Sequence, residues 1–244
     1  METRAALIIG VGAEPGLGAS LCRRFAREGL HVFACGRTAP RVEGLAASIR
    51  ASGGRATGFA ADATRAGDVA TLFDLVQGET GSPPALVVFN VGNAVVRPFL
   101  ELDPDHFEQA FRTSCLAGFH VGQQAAGRMV PAGGGTLVFT GATASEKARP
   151  PFTAFAVAKH GLRALAHGLA REFGPQGLHV AHVLVDGLIA GDQALSRMPA
   201  LADRLGADGM LDPDAIADSY WHLHNQHRSA WTLELDLRPY RESF

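Results

Sequence analysis

Lysine, tyrosine, cysteine and net charge are all scarce in this chain of 244 residues. Of 22 basic side chains only Lys147 and Lys159 are lysines, and only Tyr220 and Tyr240 carry a phenol. A formal charge of −2 excludes the basic excess with which nucleic-acid binders meet phosphate. The three cysteines (Cys22, Cys35, Cys115) lie far apart without metal-ligand spacing. No disulfide framework and no metal site is expected, and a reducing cytoplasm fits. No apolar run approaches ~18 residues, so no membrane-spanning helix is expected. Met1 to Arg4 runs straight into a strand-like segment, without the apolar core of a secretory signal. The histidines between His222 and His227 lack acidic partners at ligand spacing, which argues against a metal there as well.

What is present is apolar residue (47%) and glycine (29 residues), the composition of a compact globular protein. Short apolar runs alternate with amphipathic stretches. Strands are expected at 5–9, 31–35, 58–60, 86–89, 136–140, 179–185 and 231–237. Helices are expected at 17–28, 41–50, 68–77, 105–129 (with breaks near Gly118 and Gly122) and 152–173. Strand–helix alternation at this spacing predicts a doubly wound α/β fold, a parallel sheet of about seven strands with helices on both faces. No linker or repeat divides residues 1–244, which read as one domain. Residues 192–212, rich in Ala, Leu and Met, read as a lid, and 213–244 as a tail.

Between the first strand and the first helix lie Gly12, Glu14, Gly16, Leu17 and Gly18. Glycine belongs in such a turn because the chain bends tightly and its backbone must approach a pyrophosphate closely. The following helix then offers free N–H groups to the anion. An ordinary glycine-rich loop is the bland alternative, and the position after the first strand weighs against it. The second strand runs into Arg37 with no carboxylate nearby. An arginine there pairs with the 2′-phosphate of NADP(H), which an acid would repel, so NADP(H) is expected rather than NAD(H).

With these motifs in order, residues from about 5 to about 190 resemble the short-chain dehydrogenase/reductase family. Val11-Gly12 to Gly18 is similar to its T-G-x-x-x-G-x-G turn, with Val11 in the threonine place. Asp62, followed by Ala63, matches the aspartate that meets the adenine. Phe89-Asn90-Val91-Gly92 is similar to N-N-A-G. Asp186-Gly187 stands where the family has P-G, with Ile189 and Gly191 beyond it. The resemblance implies a Rossmann-type fold, a nicotinamide cofactor and a homodimer or homotetramer built on the helix that ends at Phe173.

The same resemblance exposes a gap. The family tyrosine, four residues before Lys159, is Phe155 here; the serine is Ala142; the asparagine is Cys115. Only Lys159, implied to bond the nicotinamide ribose, is retained. Phenylalanine has no proton to exchange, and general acid catalysis is worth ~10²–10⁴ in rate. Thr143 and Cys115 are the candidate stand-ins, although a cysteine is more often a small buried hydrophobe; Tyr240 is a remote one. His120 and His160 read as structural. The chain is therefore read as an NADP(H)-binding oxidoreductase acting on a small, apolar substrate with a non-standard proton donor. The alternative is a cofactor-binding pseudoenzyme.

Overall fold

A computed structural model describes residues 4–92, 94–206 and 208–241. Seven parallel strands form one sheet: β1 (Ala5–Ile9), β2 (His31–Gly36), β3 (Arg55–Ala60), β4 (Leu86–Phe89), β5 (Gly135–Thr140), β6 (Leu178–Val185) and β7 (Glu234–Leu237). Their spatial order is β3-β2-β1-β4-β5-β6-β7, so the sheet reverses direction of growth between β1 and β4. The fold is the expected Rossmann-type α/β architecture.

Side chains alternate across each strand, and the two faces build two cores. Ile8, Val32 and Val183 pack with Phe25 and Tyr220 on one face. Leu7, Phe33, Phe89 and Phe139 pack with Phe73 and Leu162 on the other. The first core is covered by α1 (Leu17–Arg27), α2 (Ala39–Ala51) and, late in the chain, α9 (Pro213–His224). The second is covered by α3 (Ala66–Thr80), α5 (Ala117–Met129) and α6 (Thr153–Phe173).

Three stretches differ from the sequence expectation. The long helix expected at 105–129 is α4 (Pro104–Phe111) joined to α5 by a π-turn over Arg112–Leu116, and it does not break at its glycines. A Cβ on Gly118 would lie 2.5 Å from Leu162, and one on Gly122 2.7 Å from Leu169. Both glycines are there to let α6 approach. The tail begins with a regular helix, α9, capped by Asp212, whose carboxylate accepts from the backbone of Asp214 and Ala215. The stretch expected to be a lid holds two short helices, α7 (Asp192–Arg197) and α8 (Pro199–Leu205).

Candidate active site

The loops that leave the carboxyl ends of the strands converge beside the β1/β4 switch point, where open α/β sheets hold their ligands. The glycine-rich turn leaves β1, Arg37 follows β2, and Asp62 and Ala63 follow β3. Asn90 to Gly92 follow β4, Ala142 and Thr143 follow β5, and Gly187 and Ile189 follow β6. Every residue singled out in the turns thus lies along one edge.

The first turn is shaped for close packing. Gly10 has φ of 110°, and a Cβ on it would lie 2.5 Å from the Asn90 carbonyl oxygen. Asn90 Nδ2 donates to the Gly10 carbonyl at 3.2 Å, stitching the β4 loop to the turn. Gly12, by contrast, faces open space. No side chain caps the N-terminus of α1, and its first turn holds no acid, which leaves its positive end to a ligand. Glu14 is held in an ion pair by Arg23, which offsets the carboxylate beside that end. Gly191 packs on Pro15, and Asp192 N–H donates to the Pro15 carbonyl at 2.7 Å. The start of α7 is thereby tied to the same turn. A glycine cradle with a clear approach and an uncapped helix end fits a dinucleotide pyrophosphate.

Arg37 is exposed. Burial pushes the Asp62 carboxyl up, but Thr64, Arg37 and Arg65 outweigh it and hold the group below its ordinary value. Asp62 Oδ1 accepts from the Thr64 backbone at 3.0 Å and from its hydroxyl at 2.8 Å. His120 Nδ1 lies 3.3 Å from the Ala63 carbonyl, a structural contact between loop and α5.

Lys159, on α6, is 3% exposed. Its Nζ donates to the carbonyls of Thr140 (2.8 Å) and Val91 (3.3 Å), and a Cβ on Gly92 would lie 3.3 Å from it. Burial pushes the ammonium down to about 8. Its nitrogen stands 5.8 Å from the centroid of the Phe155 ring, so the aromatic partner is in place without a hydroxyl. His160, on the same helix, is exposed and turns its Nδ1 to the Ala156 carbonyl (2.9 Å).

The two candidate stand-ins differ. Cys115 belongs to the π-turn and sits against Gly161 of α6, and burial pushes its thiol up, so it stays protonated. Thr143 lies beside the carboxylate of Asp186. Neither tyrosine is hydrogen-bonded to Lys159. Tyr220 is fully buried with its hydroxyl 2.9 Å from Thr140 Oγ1, and Tyr240 is 75% exposed against Arg241.

Two polar groups beside this edge have partners that the sequence did not reveal. Asp186 is 1% exposed and accepts from Lys147 Nζ at 3.0 Å. The scarcity of lysine was the one signal that marked Lys147. His182, buried behind Gly141, lies 3.5 Å from Glu234, which also takes Arg163 (2.6 and 2.7 Å) and His167 (2.8 Å). Burial pushes His182 down to about 4 despite Glu234, so the imidazole is neutral. Among the described residues no group of three His, Cys, Asp or Glu is placed to hold a metal ion, and no helix is long and apolar enough to cross a membrane.

Comparison with known proteins agrees with this geometry. A family model described as short chain dehydrogenase matches residues 4–192. The cyclic-di-GMP-binding biofilm dispersal mediator protein of Escherichia coli K12 is 31% identical over 171 residues, 70% of this chain and 68% of that protein. A crystal structure of a short-chain dehydrogenase from Rhodopseudomonas palustris superposes with a TM-score of 0.82 at 36% identity, covering 97% and 99% of the two chains. A gluconate 5-dehydrogenase from Burkholderia cenocepacia, solved with NADP and tartrate, shares the fold at a TM-score of 0.85 and 23% identity, covering 98% and 95%.

Proposed function

Because the chain belongs to the short chain dehydrogenase family, we propose that it is an NADP(H)-dependent oxidoreductase working in the cytoplasm on a small, apolar substrate without the family's tyrosine, serine and asparagine. The observation that carries this reading is the contrast within one edge of the sheet. The cradle at Gly12, Gly16, Leu17 and Gly18 and the buried Lys159 are kept, while Phe155, Ala142 and Cys115 stand where the hydroxyls and amide are expected.

A bound nicotinamide supplies or accepts a hydride. Around it the residues divide by task. The backbone of the turn and the end of α1 hold the pyrophosphate, with Glu14 neutralised by Arg23. Arg37 meets the 2′-phosphate and Asp62, beside Ala63, the adenine. Asn90 and Gly92 bring the β4 loop against Lys159, whose third N–H serves the ribose, and Gly187 and Ile189 border the nicotinamide. NADP as ligand of the Burkholderia enzyme supports the cofactor class by likeness of fold. Apolar Leu195 on α7 and Met198 between α7 and α8 are exposed, which supports an apolar substrate. The exposed Phe119 and the groove it shares with Leu165 and Leu169, between α5 and α6, support a homodimer or homotetramer.

The test is a screen of NADPH oxidation against ketones, activated alkenes and iminium compounds. Phe155→Tyr with Ala142→Ser should raise ketone reduction, by ~10²-fold if the general acid is restored. A folded double variant that binds NADPH yet gains nothing would contradict the assignment of these two positions. NADPH binding with no turnover of any acceptor would favour the second reading, a cofactor-binding pseudoenzyme, which the loss of all three groups specifically supports.

A further inference from the structure

We propose that the Lys147 ammonium meets the reacting oxygen of a carbonyl substrate, and that Asp186 is the positioning residue that fixes it; this rests on the oxidoreductase reading above. Asp186 directly follows β6, and Lys147 lies five residues beyond Ala142, in the turn that follows β5. β5 and β6 are hydrogen-bonded neighbours, so the pair stands at the edge where Ala142 leaves a hydroxyl missing.

The pair is built rather than casual. Asp186 is 1% exposed, Lys147 Nζ donates to its Oδ2 at 3.0 Å, and Arg238 Nη1 lies 3.8 Å from the same oxygen. The Thr143 hydroxyl stands beside the carboxylate, outside ideal hydrogen-bond geometry, and still favours its charged form. Burial pushes the Asp186 carboxyl up, but Thr143, Lys147 and Arg238 outweigh it, so the carboxylate stays charged. An ammonium has three donors. With one given to Asp186 and 26% of the Lys147 side chain exposed, donors remain for a ligand.

Residue type points the same way. Nearly every other cation in this chain is arginine, whose guanidinium does not give up a proton, whereas an ammonium does. As a hydride from reduced nicotinamide adds to the carbonyl carbon, the C=O π pair moves onto oxygen beside Lys147. One N–H bond then breaks, an O–H bond forms, and the neutral amine regains its proton from water. Thr143, one of the two stand-ins named from sequence, acts here through Asp186.

The two-lysine composition supplies the experiment. Lysine-selective ¹³Cε labelling yields two side-chain signals, assigned with Lys147→Met. NADP⁺ should move the Lys159 signal, and cyclohexanone added to the NADP⁺-loaded protein should move that of Lys147. Asp186→Asn should shift the Lys147 signal already in the free protein. Lys147→Met should bind NADPH as the native protein does and reduce ketones ~100-fold more slowly. A Lys147 signal unmoved by cyclohexanone, or native rates in Lys147→Met, would overturn the inference. A Lys159 signal unmoved by NADP⁺ would instead sink the oxidoreductase reading, and the inference with it.

Discussion

Lys159 is held by two backbone carbonyls in a site that disfavours its charge, and this has a consequence for pH. Its folded value is about 8, against 10.5 for an ordinary lysine. Between these values the unfolded chain binds the proton that the folded chain has lost, so this group makes stability rise with pH across that window, by up to about 1.4 kcal/mol per pH unit. Below about 8 the slope vanishes and the desolvation penalty stays in full. Denaturant unfolding of native protein and Lys159→Met at pH 7.5 and 9.5 checks this. The native protein should gain on the variant at the higher pH; equal gains would mean the ammonium is better solvated than its burial implies. Lys159 was readable from its spacing, because a family motif fixes it relative to the helix. Asp186 was read as a substitution in a P-G position and nothing more. The partner that gives Asp186 meaning, Lys147, lies 39 positions away, and no local pattern joins them.

At the scale of elements, α9 shows what periodicity offers and where a reader passes over it. Ile216, Ala217, Tyr220 and Leu223 fall on one buried face, and Asp212-Pro213 is a helix start. The signals were local and present, yet this stretch was assigned to a tail because the family resemblance fades there. The π-turn at 112–116 could not have been read so, since a single wide turn is too short to show a period of its own. Gly118 and Gly122 suggested breaks, whereas they mark close approach of α5 to α6, a fact of packing between helices. Tyr220 ties α9 to β5 through Thr140, whose carbonyl also holds Lys159. Tyr220→Phe keeps the ring and leaves the buried Thr140 hydroxyl unpaired, and should lower stability by about 1–2 kcal/mol in urea denaturation while NADPH affinity holds. An unchanged midpoint would mean that Thr140 finds another partner.

For the whole molecule, strand–helix alternation was enough to foresee a parallel sheet of about seven strands, because crossover connections allow few alternatives. The loops at its carboxyl edge then lie side by side whatever their sequences, which is why the glycine turn, Arg37 and Asp62 could be named together. Catalysis was legible only as an absence at Phe155, Ala142 and Cys115, since replacement groups need not come from family positions. NADP(H)-dependent chemistry therefore requires first that this edge hold a 2′-phosphorylated dinucleotide. The most direct test is calorimetric titration of the native protein and Arg37→Ala with NADPH and NADH. The native protein should bind NADPH the more tightly, and the variant should lose about tenfold or more for NADPH, with NADH little changed. Equal affinity for the two nucleotides, or binding of neither, would contradict it.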